Sequence, residues 1–395
     1  MKRVITALLL LSVAISCARR PNYTVIVSLD AFRWDYPMLY DTPWLDSIAR
    51  AGVKAVMMPS YPSSTFPNHY TLATGLVPDH HGIANSQFRD SELGVTYSMG
   101  DSLTRNNPSY YGGEPVWITA ERQGVPTATL YWVGSDIPIL GRYPSSYRAW
   151  ADVPRLDYAG RADEAVRLMS LPEEERPRLV MVYFDDPDAT GHEFGPKSIE
   201  TGIMVHYLDS LVGRMYQGLR ALPHGDRINL IVTSDHGMTD ISDERFVNIG
   251  EVLRPEWCEY VVSSSPTSIF TAPGCRDSVL AALNAVPHVT AWPRENVPAE
   301  LDYGTSPHLG DVIAAPDLGW QLSYKTRHLL GAHGYDPREP DMQVIFRASG
   351  PDFKQGYELP GLFKNTAVYP LLCKLLGVRP APCDGDLSSA GKLLR

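Results

Sequence analysis

Five short apolar runs, each closed by a polar or glycine-containing turn, limit what this chain can fold into more than any other feature. They are 24-TVIVSLD-30, 53-VKAVMMP-59, 127-TATLYWVGSD-136, 179-LVMVYFDD-186 and 228-INLIVTSDHG-237. They are continuous rather than alternating, so neither face of such a strand tolerates water, and runs of this kind belong in the middle of a sheet covered on both sides. Segments with helical spacing lie between them, at 41-DTPWLDSIARAG-52, 115-PVWITAERQG-124 and 199-IETGIMVHYLDSLVGRMYQGLRAL-222. Strand alternating with helix predicts an α/β fold with a mostly parallel central sheet flanked by helices. From about 260 to 325 the pattern changes. There 267-TSIFTAPG-274, the helix-like 276-RDSVLAALNAVP-287 and 310-GDVIAAPDLGWQLS-323 read as a small α+β insertion in one domain spanning 22–395. The run 343-QVIFRASGP-351 then returns to the core.

With 395 residues, 44% hydrophobic and 20% charged, the chain can bury one large core and nothing in it reads as disorder. A formal net charge of -10 argues against a surface that tracks a polyanion, so no nucleic-acid polymer is expected as partner. A small anionic substrate would need a local positive charge, and metal ions supply one. The start, 1-MKRVITALLLLSVAISCARR-20, has a basic beginning and an apolar run too short for an ordinary membrane span. It predicts an export signal over 1–17. Ser16-Cys17 closing that run resembles a bacterial lipobox, which predicts lipidation of Cys17 and a membrane-anchored or periplasmic protein; a plain secretory signal is the alternative. The remaining cysteines, Cys258, Cys275, Cys373 and Cys383, form an even set, and pairing neighbours in sequence is the simplest of three connectivities, with free buried thiols as the alternative.

In open α/β sheets ligands gather at the carboxyl ends of the strands, so the polar residues closing the apolar runs are the ones to read. Asp30 closes the first; Asp185, Asp186 and Asp188 follow the fourth; Asp235 and His236 close the fifth. In 188-DATGH-192 an Asp and a His four apart share one face of a helical turn, a spacing that alone describes a surface ion pair as well as a metal site. A glycine follows His236, and another follows His333 in 332-AHGYDP-337. Asp30, Asp188, Asp235, His192, His236 and His333 make three carboxylates and three imidazoles, a donor set suited to zinc and divisible into two open sites of three. The stretch 61-YPSSTFPNHYTLATGL-76 crowds hydroxyls before a helical pattern. Ser63, Ser64 or Thr65 suits a helix cap, while a metal-activated Thr65 at a helix start also suits a nucleophile.

Five motifs in this order resemble the nucleotide pyrophosphatase/phosphodiesterase family of the alkaline phosphatase superfamily: SLDAFRWDY around Asp30, SSTFPNHYTLATGLVPDHHGI around Thr65, PDATGHEFGP, TSDHGM and HGYDP. The resemblance implies two zinc ions per chain, one held by Asp188, His192 and His333, the other by Asp30, Asp235 and His236 together with Thr65. It implies attack by Thr65 on phosphorus and a phospho-threonine intermediate that water hydrolyses, releasing a nucleoside 5′-monophosphate. Phe66 and Tyr183 match aromatic positions lining a pocket for a base or other leaving-group moiety. One position departs: where the family places a phosphoryl-binding asparagine, ungapped alignment gives Ser86, with Asn85 one residue earlier, and Asn85 is expected to supply the donor. Within the superfamily the rival readings are a phosphomonoesterase, for which Arg142 and Arg148 could offer cationic groups, and a lysophospholipid-type phosphodiesterase. Outside it the rival is a non-catalytic surface lipoprotein, which predicts decayed site residues where this chain has every one filled.

Overall fold

The computed structural model describes residues 22–326 and 328–395, so the signal segment and Cys17 lie outside the described residues. The first apolar run forms the strand Tyr23–Asp30, buried along its whole length. It sits inside an eight-stranded sheet ordered Tyr357–Lys364, Val53–Met58, Val344–Ser349, Ile228–Thr233, Tyr23–Asp30, Leu179–Pro187, Thr127–Leu130, Ser146–Arg148. Its two neighbours, Leu179–Pro187 and Ile228–Thr233, pair with it in parallel. Only Val344–Ser349 runs against the rest, antiparallel to both Ile228–Thr233 and Val53–Met58. The predicted mostly parallel α/β sheet is what forms.

Helices cover both faces. Pro43–Ala51, Tyr158–Ser170 and Ile199–Ala221 pack together on one side. Thr65–Thr74, Val116–Arg122 and Val368–Leu376 pack together on the other. The long helix approaches its neighbour closely at Gly213, where a Cβ would fall 2.3 Å from the Trp44 ring. Only glycine fits there.

Two edge strands escaped the sequence pattern, Ser146–Arg148 and Tyr357–Lys364. They lie at the sheet's rims and are exposed along much of their length, so they carry no apolar run to read. The predicted run 127–136 is strand only over Thr127–Leu130; beyond it the chain turns, with Tyr131 at φ 63°. Between Ile228–Thr233 and Val344–Ser349 the chain builds a four-stranded antiparallel sheet ordered Cys258–Val262, Thr267–Thr271, Val312–Pro316, Val289–Pro293. The helix Arg276–Asn284 packs on it around a separate small core that includes Ile269, Val279, Leu283 and Val312. Cys258, Cys275, Cys373 and Cys383 are free thiols here rather than the expected disulfides. Burial pushes the Cys373 thiol up to about 12.

Candidate active site

Parallel pairing puts the carboxyl ends of the three central strands on one edge of the sheet. Asp30 ends the first, and Ser234, Asp235 and His236 follow Ile228–Thr233. After Leu179–Pro187 the short helix Asp188–Phe194 sets Asp188 and His192 one turn apart, with His192 Nε2 3.4 Å from Asp188 Oδ1. The reversed strand Val344–Ser349 starts at this same edge. The chain leading into it lies against the site: Gly237 and Met238 donate their N–H groups to the carbonyls of Met342 and Asp341. His333 arrives on that approach, and Gly334, at φ 99°, turns it inward against Ser265. The structure thus brings all six predicted ligands together from four segments distant in sequence.

Their protonation is legible from their partners. Each of the three imidazoles spends Nδ1 on a backbone carbonyl: His192 on Gly331 at 2.7 Å, His236 on Gly237 at 2.8 Å, His333 on Ser63 at 3.1 Å. A carbonyl only accepts, so Nδ1 carries the proton and a neutral ring turns its bare Nε2 inward. There Nε2 meets other acceptors. Asp188 Oδ1 is 3.6 Å from His333 Nε2, and Asp30 Oδ1 and Asp235 Oδ2 each lie 3.3 Å from His236 Nε2. Asp30 Oδ1, Asp188 Oδ1 and Asp235 Oδ2 are buried and complete no hydrogen bond. Buried acceptors facing buried acceptors are costly unless a cation lies among them. The nitrogen and oxygen donor set therefore fits zinc. Ligand atoms converge within 4.8 Å in two trios, Asp188–His192–His333 and Asp30–Asp188–His236. Asp188 belongs to both, while Asp235, expected in the second trio, faces it through His236.

The electrostatics say the same. Burial, then repulsion from Asp235 and Asp188, holds the Asp30 carboxyl well above the usual carboxylate range. Burial also raises Asp188, and burial with the nearby rings of His236 and His192 pushes His333 well down. Burial opposes ionisation of Asp235 as well, but positive charge placed at His236 and His69, with the His69 N–H beside the carboxylate, would outweigh it and hold Asp235 below the usual range.

Thr65 opens the helix Thr65–Thr74, and its Oγ1 lies 3.0 Å from His236 Nε2. The first turn of a helix leaves backbone N–H groups without helical partners, and Thr65 and Phe66 are the first two residues of this one. The turn before it is braced by neighbours. Ser63 donates to the Tyr335 carbonyl at 2.6 Å, Ser64 and Ser86 share a hydroxyl contact at 3.0 Å, and Asn68 donates to the carbonyls of Pro62 and Ser64. Ser64 makes no side-chain cap.

A cavity of about 270 Å³ opens beside Thr65, with Asp30 and Asp188 in its wall. Phe66 and Tyr183 line it as expected, joined by Tyr131, Trp132 and Trp150. Tyr183 also donates its hydroxyl to Asp30 Oδ2 at 2.5 Å. Asp136, Asp185 and Arg105 supply its charged wall outside the metal cluster. Arg142 and Arg148 do not line it; Arg148 lies 3.8 Å from Glu164 on the rim strand. Asn85 is engaged within the chain. Its amide donates to Ser264 Oγ and the Ser265 carbonyl, both at 3.2 Å, because the inserted sheet's loop offers acceptors there, while the Ser86 hydroxyl contacts that of Ser64 in the turn before Thr65. Sequence reading missed His69, buried beneath Thr65, although its position one helical turn after Thr65 was a signal. Asp136 closes the run 127–136, which also contains Trp132, and was passed over; Trp150 lies in none of the five runs and gave no signal.

The family profile described as type I phosphodiesterase / nucleotide pyrophosphatase matches residues 24–336, which takes in every one of these side chains. The chain belongs to that family. As a type I phosphodiesterase/nucleotide pyrophosphatase it is a hydrolase of a metal-dependent class. It is 32% identical over 99% of its length to human ectonucleotide pyrophosphatase/phosphodiesterase family member 5, covering 82% of that protein. It is 32% identical to a venom phosphodiesterase of Crotalus durissus collilineatus, of which it spans 46%. Among solved structures it matches murine member 5, in an inactive threonine-to-alanine form in complex with AMP, with a TM-score of 0.88 and 29% identity over 95% of this chain and 100% of that one.

Proposed function

We propose that this phosphodiesterase uses two zinc ions to hydrolyse nucleotide diesters or pyrophosphates, with Thr65 as nucleophile and a nucleoside 5′-monophosphate as product. The observation that carries the proposal is the set of bare imidazole nitrogens and orphaned carboxylate oxygens gathered around the Thr65 hydroxyl. Asp188, His192 and His333 would hold one ion; Asp30, Asp235 and His236 would hold the other beside Thr65. The metal pair, when bound, supplies positive charge that polarises the phosphoryl group and acidifies the nucleophile.

Everything else falls to the chain itself. The N–H groups of the first helical turn and the helix dipole favour the anionic phosphoryl oxygens. Thr65 Oγ attacks phosphorus as its proton passes to solvent, and the bond from phosphorus to the departing oxygen breaks, that oxygen taking up a proton; water then cleaves the bond between Thr65 Oγ and phosphorus, returning the hydroxyl and releasing the nucleoside 5′-monophosphate. The base stacks between Phe66 and Tyr183, an arrangement that tolerates different bases. Murine member 5 binding AMP in a threonine-to-alanine form is consistent with this assignment. Ser86 and Asn85 both remain candidates for the additional donor, and losing such a donor costs on the order of a hundredfold in rate. Comparing Ser86→Ala with Asn85→Ala distinguishes them.

The deciding experiment compares hydrolysis of a nitrophenyl nucleotide diester with nitrophenyl phosphate, with and without chelator. Faster turnover of the monoester would replace the diesterase reading by the phosphomonoesterase one, and indifference to chelator would remove the metals. We further infer from the 1–20 pattern that the chain is exported and anchored through Cys17. Cys17→Ser should release it from the membrane fraction.

A further inference from the structure

We infer that His69 is a positioning residue that ties the carboxylate of Asp235 to the helical turn carrying Thr65. The inference rests on the zinc reading above. His69 is fully buried and lies four residues after Thr65, so its ring reaches back beneath that residue's own turn. Its Nδ1 is 3.0 Å from the Thr65 carbonyl oxygen and 3.2 Å from Asp235 Oδ2; its Nε2 is 2.9 Å from Ser28 Oγ. Both neighbours of Nδ1 only accept, so Nδ1 carries the proton and the Ser28 hydroxyl donates to Nε2. The N–H points at the Thr65 carbonyl. Asp235 Oδ2, which completes no hydrogen bond, sits beside it in its field.

One ring therefore joins three elements: Ser28 in the central strand, Asp235 beyond the end of Ile228–Thr233, and Thr65 at the helix start. The ring is held edge-on by Tyr183, with centroids 4.6 Å apart at 72°, and by Trp132, at 5.3 Å and 80°. Trp132 also donates Nε1 to the His69 carbonyl at 3.3 Å. Turning the ring over would break the Ser28 and Thr65 bonds together. His69 has no solvent access and no free nitrogen, so it takes no part in proton transfer to substrate. What it sets is the separation between the nucleophile's turn and a metal-facing carboxylate.

The test uses the full chain stripped of metal, with zinc as the titrant. Zinc isotherms, metal-free thermal unfolding, and kcat and KM at saturating zinc are measured for the parent, His69→Ala, His69→Asn and Ser28→Ala. Asparagine sets an amide N–H near where Nδ1 stands. Outer partners of metal ligands are worth roughly 10–100-fold in affinity. His69→Ala should weaken the tighter zinc-binding step by about that factor and lower kcat with little change in KM. His69→Asn should recover most of both, with Ser28→Ala between. The inference is overturned if folded His69→Ala keeps zinc affinity and kcat within about twofold of the parent, whatever happens to metal-free unfolding. If His69→Ala does not fold, Ser28→Ala decides: parental zinc affinity overturns the inference and weakened affinity supports it. A parent chain that binds no zinc is a separate result, which removes the zinc reading and this inference with it.

Discussion

At the scale of single residues the site is governed by what each side chain can donate. Thr65 is the one hydroxyl of its crowded stretch placed on an imidazole of the cluster, at 3.0 Å from His236 Nε2, while Ser63 and Ser64 spend theirs on Tyr335 and Ser86. Thr65→Ala should remove turnover by at least about a thousandfold, as for other covalent nucleophiles. Zinc content measured by atomic absorption should stay near that of the parent, since the six remaining ligands are untouched. Tyr183 does two things, walling the cavity and donating to the buried carboxylate of Asp30. A hydrogen bond to a charged group contributes about 1.5–3 kcal/mol, so Tyr183→Phe should weaken zinc binding by roughly tenfold or more while leaving the aromatic wall in place. Calorimetric titration of the metal-free variant reads this directly.

At the scale of elements, the helix Thr65–Thr74 matters because its start is chemical and its end is structural. It stops at Gly75, at φ 69°, with the N–H groups of Asp384 and Gly385 on the Gly75 carbonyl. A Cβ there would lie 3.0 Å from the Tyr369 ring and 3.1 Å from Thr366 O. Gly75→Ala adds a left-handed conformation unsuited to alanine, at about 1–2 kcal/mol, to that crowding. Its unfolding midpoint should fall by several degrees; an unchanged midpoint would show that this cap does not hold the helix. The element order was readable because buried strands and amphipathic helices have different periods. The rim strands Ser146–Arg148 and Tyr357–Lys364 were not, because an exposed strand with one hydrogen-bonded neighbour needs no apolar side chains.

At the scale of the whole molecule, stability should respond to metal and to acid. Six polar ligands packed without a cation repel one another, so zinc should raise the unfolding temperature and chelator lower it. Free zinc at a hundred times its dissociation constant adds about 2.7 kcal/mol for one site. Acid acts through His81, wholly buried with Nε2 against the Pro67 carbonyl and Thr71 and with Nδ1 accepting from the Ile83 N–H. Burial depresses its pKa to about 3. The folded state thus keeps this ring neutral while the unfolded chain takes up a proton below the ordinary value near 6.5. The stability it contributes is complete above about 6.5 and is lost as pH falls toward about 3, by up to roughly 5 kcal/mol. Urea unfolding of the metal-free chain at pH 7 and pH 5 should show this loss, and His81→Gln should flatten the slope.

The sequence by itself determined the central α/β sheet, because continuous β-branched runs can be buried only between two layers of helix. It also determined which residues close those runs, naming Asp30, Asp235 and His236, while the 188–192 spacing, the glycine after His333 and the hydroxyl-rich stretch 61–76 named the other ligands and Thr65. Only the tertiary structure decided how they face one another. Nothing in the order of residues says that three Nδ1 protons are spent on backbone carbonyls, leaving bare nitrogens among bare oxygens. Nor does it say that Asp188 stands in both trios, that Asn85 turns toward Ser264, or that His69 lies under the nucleophile's turn. Those facts depend on where segments far apart in the chain meet, and on the reversed strand Val344–Ser349 that brings the chain bearing His333 to the edge where Asp30 ends. Side-chain direction across such meetings is set by packing, which local sequence pattern does not record.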